Sequence, residues 1–178
     1  CDFPAPSVLV ELDPATGSLK RTIGAVRDAS GLYPIISSLT AQPGTGLLYA
    51  ASVLTTSSIW TIDKSTALAT RLSTAQGPGL AFGPDGTLYH SAGATLFILD
   101  PDTGVPVGFF PVSYSGADAR IDGLAVRSDG TVFTTISRSF RPPRPCRTCP
   151  NPPPVLLPLA LATIDLSTGM GIGILNEI

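Results

Sequence analysis

The sequence predicts an all-β chain of about three and a half four-stranded units, and three observations predict it. A turn box recurs: GLAFGPDGTLY (79–89), GLAVRSDGTVF (123–133) and a looser copy, SLTAQPGTGLLY (38–49). An apolar segment closing on Asp-x-x-Thr-Gly recurs as LVELDPATG (9–17), LFILDPDTG (96–104) and LATIDLSTG (161–169), with IWTIDKSTA (59–67) as a variant. Helical periodicity is absent, while β-branched residues, prolines and period-2 alternation prevail.

Each box reads as a hairpin. Leu80 and Phe82 alternate with small residues, Pro84, Asp85 and Gly86 turn the chain, and Leu88 begins the return strand. Proline presets φ for the turn and glycine supplies the left-handed position. Asp85 and Asp129 occupy the turn itself. The third strand is the apolar segment ending at Asp13, Asp63, Asp100 or Asp165. Aspartate there caps its own turn, so these four in-phase carboxylates read as structural. A fourth strand follows each: SLKRTIG, ALATRLS, VPVGFFPVS and MGIGILNEI. The anchoring aromatics Tyr49, Tyr89 and Phe133 stand 40 and 44 residues apart, the period of a β-propeller blade.

The quoted boxes resemble the signatures of secreted bacterial β-propeller repeat proteins, and the blades look similar to those of YVTN, NHL and SMP-30-like propellers. The resemblance covers residues 8–178 and implies the fold. It implies little about function, because such blades serve many roles.

The strand count leaves a gap. The units run over about 35–73, 77–113 and 121–178, and before them stands only a third-and-fourth-strand pair at 8–26. A closed ring usually has at least four blades. The missing two strands are expected from a segment beyond Ile178, from a neighbouring subunit, or from the rest of a longer propeller. Unpaired backbone groups at an open edge demand partners, so oligomer or filament formation through that edge is expected. A closing rotation would give a ring and a non-closing one a fibre.

The 178 residues fit a single domain, 1–178, with 43 % hydrophobic residues to fill a core. Charged residues make up only 13 % and the net charge is −2, which argues against a nucleic-acid surface. No apolar run is long enough for a membrane-spanning helix. The chain starts at Cys1 without an initiator Met. That is the form of a processed chain, secreted or on the cell surface, with a lipid anchor at Cys1 as one option.

Catalytic constellations are sparse. His90 is the only histidine, on the return strand of a box, and reads as structural or surface rather than as a general base. Asp122, with Asp118 and Arg120 beside it, falls near the expected channel mouth and is the candidate small-ligand pocket. The divalent site that the resemblance to SMP-30-like lactonases would imply does not carry over. Glu11, Glu177, Asn151 and Asn176 stand away from the channel-facing starts of the units. No enzyme activity and no cofactor are therefore expected, and metal content is left open.

The stretch RPPRPCRTCPNPPP (141–154) breaks the repeat. From Phe133 to Asp165 is 32 residues, against 11 from Tyr89 to Asp100, so the last unit carries an insertion, set at 138–158. Its proline density favours an extended, projecting loop. Arg138, Arg141, Arg144 and Arg147 form a small basic cluster there, read as a solvated surface with an interaction role as the alternative. Cys146 and Cys149 allow a short-range disulfide, a pairing of one of them with Cys1 within or between chains, or a two-thiolate site for copper or zinc. The expected function is a non-catalytic extracellular structural or binding module whose first partner is itself. The alternatives are a secreted propeller enzyme or small-ligand binder acting at the channel mouth, and soft-metal (copper or zinc) binding through Cys146 and Cys149.

Overall fold

The computed structural model describes residues 5–53, 57–112, 118–140, 155–166 and 170–173. Cys1, Arg141, Arg144, Cys146, Arg147 and Cys149 lie outside the described residues, so the expectations that fall on them do too.

All described secondary structure is β. Sheet I pairs β1 (Val8–Leu12) with β2 (Leu19–Ala25). Sheet II runs in order through β3 (Ile35–Ala41), β4 (Leu48–Val53), β5 (Ser58–Ile62) and β6 (Ala69–Thr74). Sheet III does so through β7 (Gly79–Phe82), β8 (Leu88–Ala92), β9 (Thr95–Leu99) and β10 (Pro106–Pro111). Sheet IV comprises β11 (Asp118–Val126), β12 (Val132–Phe140), β13 (Val155–Asp165) and β14 (Met170–Gly173). Every strand pair within them is antiparallel, as short hairpin connections require.

Turn chemistry sets these boundaries. In the first box the Gly83 N–H donates to Thr87 O (2.8 Å) and the Gly86 N–H to Gly83 O (3.1 Å), with Gly86 at φ +86°. This is a three-residue hairpin loop closed by a left-handed glycine. The Asp85 carboxylate accepts the Thr87 N–H (3.0 Å) and hydroxyl (2.8 Å). Arg127, Asp129, Gly130 and Thr131 repeat the arrangement.

The Asp-x-x-Thr-Gly turns form a second class. Asp13 Oδ1 accepts the N–H groups of Ala15 (2.9 Å) and Thr16 (3.2 Å), and Asp100 does the same for Asp102 (2.8 Å) and Thr103 (3.2 Å). In the variant turn Asp63 keeps this role, but Ala67 fills the left-handed position at φ +59°.

Two expectations need correction. The looser box, SLTAQPGTGLLY, does form a hairpin, but its turn belongs to the second class. The Gly46 N–H donates to Gln42 O (2.9 Å), and the Thr45 hydroxyl donates to Gln42 Oε1 (2.8 Å). Gln42 stands where the other turns carry aspartate. The inserted loop is also shorter than 138–158, because β12 and β13 continue into it and Phe140 pairs with Val155. Backbone pairing carries the strand on past Ile136, and the register slips between Ile136 and Arg138, opposite Pro158, which has no N–H for the ladder.

Three cores lie between consecutive sheets. Leu9 and Val26 of the first layer meet Ala50, Trp60, Ile62 and Ala69 of sheet II. Tyr49, Ala51 and Ile59, on the opposite face of sheet II, meet Leu80, Phe82, Leu88 and Leu99 of sheet III. Tyr89 and Leu96 then meet Ile121, Val132 and Ile164 of sheet IV. Period 2 makes this possible: successive residues of one strand serve successive cores. The sheets thus stack in chain order with the first strands β3, β7 and β11 side by side, a propeller-like arrangement.

Candidate interaction site

The stacking makes equivalent positions comparable from sheet to sheet, and sheet I departs from the others. The strand β1 corresponds to β5, β9 and β13, the third strands of their sheets. Those three pair on both sides, whereas β1 pairs with β2 alone. Its other edge has no strand against it among the described residues.

Side chains around that edge are correspondingly uncovered. Val10 sits three residues before the turn aspartate, as Trp60 does. Val10 is 39 % exposed and Trp60 1 %. Leu12 corresponds to Ile62 and Leu99, which are buried against the preceding sheet; it is 52 % exposed, because no sheet precedes sheet I among the described residues. On sheet II, Leu39 corresponds to Leu80 by strand register, since Leu39 pairs with Ala50 and Leu80 with His90. Leu39 is 47 % exposed and Leu80 2 %. Leu48 is only half-buried, while its counterparts Leu88 and Val132 are fully buried.

Val10, Leu39 and Leu48 border one cavity of about 530 Å³. Leu9, Val10 and Ile23 of sheet I and Leu39 and Leu48 of sheet II form its apolar walls. Glu11 lies at its rim, ion-paired with Arg21 (3.1 Å) and Lys20 (3.7 Å). The three groups are about half exposed, so the pairs add little stability. Their effect is local neutrality: no unpaired carboxylate faces the opening. The single tryptophan, Trp60, packs in the cluster with Leu9, Ile23 and Leu48 that adjoins the cavity.

The predicted pocket residues sit elsewhere. Asp122 lies within β11, five residues in, rather than at a strand start, because β11 begins at Asp118. Arg120 Nε lies 3.2 Å from Asp122 Oδ1, two residues along the same strand and on the same face. The Asp122 carbonyl accepts the Ser91 hydroxyl (3.2 Å). Asp118 pairs through its backbone with Ser139. The structure therefore brings Arg120 and Asp122 together as a surface ion pair whose charges answer each other. A shallow apolar hollow of about 220 Å³ lies beyond it, over Ala125, Phe133, Thr135 and Leu161.

His90 is buried on β8, facing sheet II with Leu88. Its Nδ1 lies 2.9 Å from Gly79 O and its Nε2 3.2 Å from Gln76 O. Burial pushes its pKa below the usual 6.5, and the two carbonyls oppose that shift more weakly. A neutral ring has one N–H, and the shorter contact assigns it to Nδ1. Both ring nitrogens of this buried side chain thus lie close to main-chain carbonyls. Among the described residues, no three His, Cys, Asp or Glu side chains cluster as a metal site, and no helix is long and apolar enough to cross a membrane.

The cavity was not foreseen in the sequence. Its signal was available in phase: Leu39 and Leu48 repeat the positions of Leu80 and Leu88, yet no first-and-second-strand hairpin stands in sheet I among the described residues.

No protein-family model and no curated protein matches the chain. Among solved structures, it is similar to dihydro-heme d1 dehydrogenase NirN in complex with DHE, at 21 % identity and a TM-score of 0.51. The match covers 97 % of this chain and 34 % of that one, so the chain spans about a third of that protein's length. At this identity the likeness concerns the fold alone, and it agrees with a propeller-like all-β arrangement.

Proposed function

We propose that the chain is a non-catalytic structural or binding module, secreted or displayed at a cell surface, that self-associates through the open edge of β1. In this reading sheet I is a half blade, and the three and a half blades are completed by another segment or subunit. The observation that carries it is the contrast between Leu39, 47 % exposed beside the open edge of β1, and its counterpart Leu80, 2 % exposed. An open strand edge beside apolar side chains is a template for pairing with another chain. Sedimentation velocity across a wide concentration range tests it. A rising mean mass that falls back when Val10 and Leu12 are both replaced by lysine supports it; a monomer at every concentration rejects it.

A second reading places a small ligand at Arg120 and Asp122 on β11, supported by their ion pair on a first strand. A thermal-shift screen with small charged metabolites should then show stabilisation that Asp122→Asn removes.

A further inference from the structure

We infer that the cavity beside β1 is a slot for a two-stranded β-hairpin of the turn-box type, supplied from outside residues 1–178, with the hairpin's return strand pairing with β1. This rests on the reading of sheet I as a half blade and gives the chemistry of what completes it.

The chain holds its own controls. In sheets III and IV the first two strands form a box hairpin, GLAFGPDGTLY or GLAVRSDGTVF. In sheet II the hairpin β3–β4 takes the same place. The return strand of each pairs antiparallel with the third strand in one register: Tyr49 opposite Thr61, Tyr89 opposite Ile98, Phe133 opposite Thr163. The position in β1 that matches Thr61, Ile98 and Thr163 is Glu11, two residues before the turn aspartate. A guest in this register sets its aromatic opposite Glu11.

The faces agree as well. In sheet II the aromatic of the return strand, Tyr49, turns towards the next sheet and meets Phe82 edge to face, with ring centroids 5.0 Å apart. The same hairpin buries Leu80 and Leu88 of the next sheet. Leu39 and Leu48, the counterparts of those two leucines, are the uncovered wall of the cavity. A box hairpin in the slot would cover on sheet II what β3–β4 covers on sheet III. The guest is therefore specified by its return strand, which carries an aromatic turned towards sheet II as Tyr49 is turned towards sheet III. Because Glu11 is already neutralised by Arg21 and Lys20, the guest needs no cation of its own.

A synthetic peptide with the sequence of residues 77–92, GPGLAFGPDGTLYHSA, is the probe. It carries no tryptophan, so the fluorescence of Trp60 reports on the slot alone. The expected result is a saturable change in Trp60 emission. Its midpoint should weaken tenfold or more when the peptide's Tyr89 position, the one turned towards sheet II, is replaced by serine. It should weaken likewise when the protein carries Leu39→Glu, a change at a half-exposed site whose fold is checked by circular dichroism and melting. The absence of a saturable change, or an equal response from the serine peptide or the Leu39→Glu protein, overturns the inference. Sedimentation of the same samples separates the two ideas. Self-association with no peptide response rejects the hairpin slot and leaves self-association standing. A monomer that binds the peptide rejects self-association and keeps the slot.

Discussion

The hydroxyl of Ser38 accepts the N–H of Leu80 (3.2 Å) and donates to the carbonyl of the same residue (3.1 Å), 42 positions along the chain. One side chain in sheet II thus satisfies both main-chain groups of a residue in sheet III. Thr40 accepts the Phe82 N–H (3.2 Å), and Ser37 donates to Pro78 O (3.2 Å). Inner strands of neighbouring sheets are joined by hydroxyls where no backbone ladder connects them. Ser38→Ala should leave two main-chain groups of Leu80 without these partners and lower stability by about 1–3 kcal/mol, read from urea denaturation.

Gly79 is required by space. A Cβ there would lie 2.4 Å from Ser91 Oγ and 2.6 Å from the Asp122 carbonyl oxygen. Gly79→Ala should therefore cost about 3 kcal/mol, at the upper end for overpacking. Adding Ser91→Ala should not restore stability, since the Asp122 carbonyl belongs to the backbone. Thermal melting of the single and double variants checks both statements.

His90 makes stability depend on pH near neutrality. Its folded-state pKa lies below the usual 6.5, chiefly through burial, so the unfolded chain binds the proton more readily. The stability it contributes is fully present above about 6.5 and is lost as pH falls from there through the folded-state value. Urea midpoints measured from pH 7.5 to 5 should decline, and His90→Gln should flatten that part of the profile.

A second acid-sensitive range follows from the turns. Hydrogen bonds from Ser65 and Thr66 hold Asp63 below the usual 3.8, those from Thr87 do so for Asp85, and Arg127 and Thr131 for Asp129. Their contribution is present above 3.8 and is lost as pH falls through the lowered values. Melting temperature should drop again below pH 4, and Asp63→Ala should reduce that drop while lowering the melting temperature at pH 7.

The turns were legible because their chemistry is local. Asp85 and Gly86, or Asp13 and Gly17, carry within a few residues the acceptor and the left-handed position that the loop needs. The looser box was less legible, because Gln42 stands where the other long turns carry aspartate; the Gly46 N–H donating to Gln42 O marks it as the longer turn. The ends of β12 and β13 were obscured by the prolines that follow, although strand pairing extends to Phe140 and Val155. Strand phase put His90 on the same face as Leu88, but its burial depended on the neighbouring sheet. The cavity was hidden more deeply still. Leu39 and Leu80 are alike in local sequence and differ in what lies across from them, a property of the whole stack.

The three cores carry a further consequence for how the protein is made. Each lies between sheets adjacent in sequence, so each can close as soon as the later sheet has left the ribosome, without waiting for the far end of the chain. Assembly can then advance one layer at a time, and loss of order can begin at the terminal layers and move inward. Amide hydrogen exchange should show this as a gradient, slowest in β4, β5, β8 and β9 and fastest in β1 and β2.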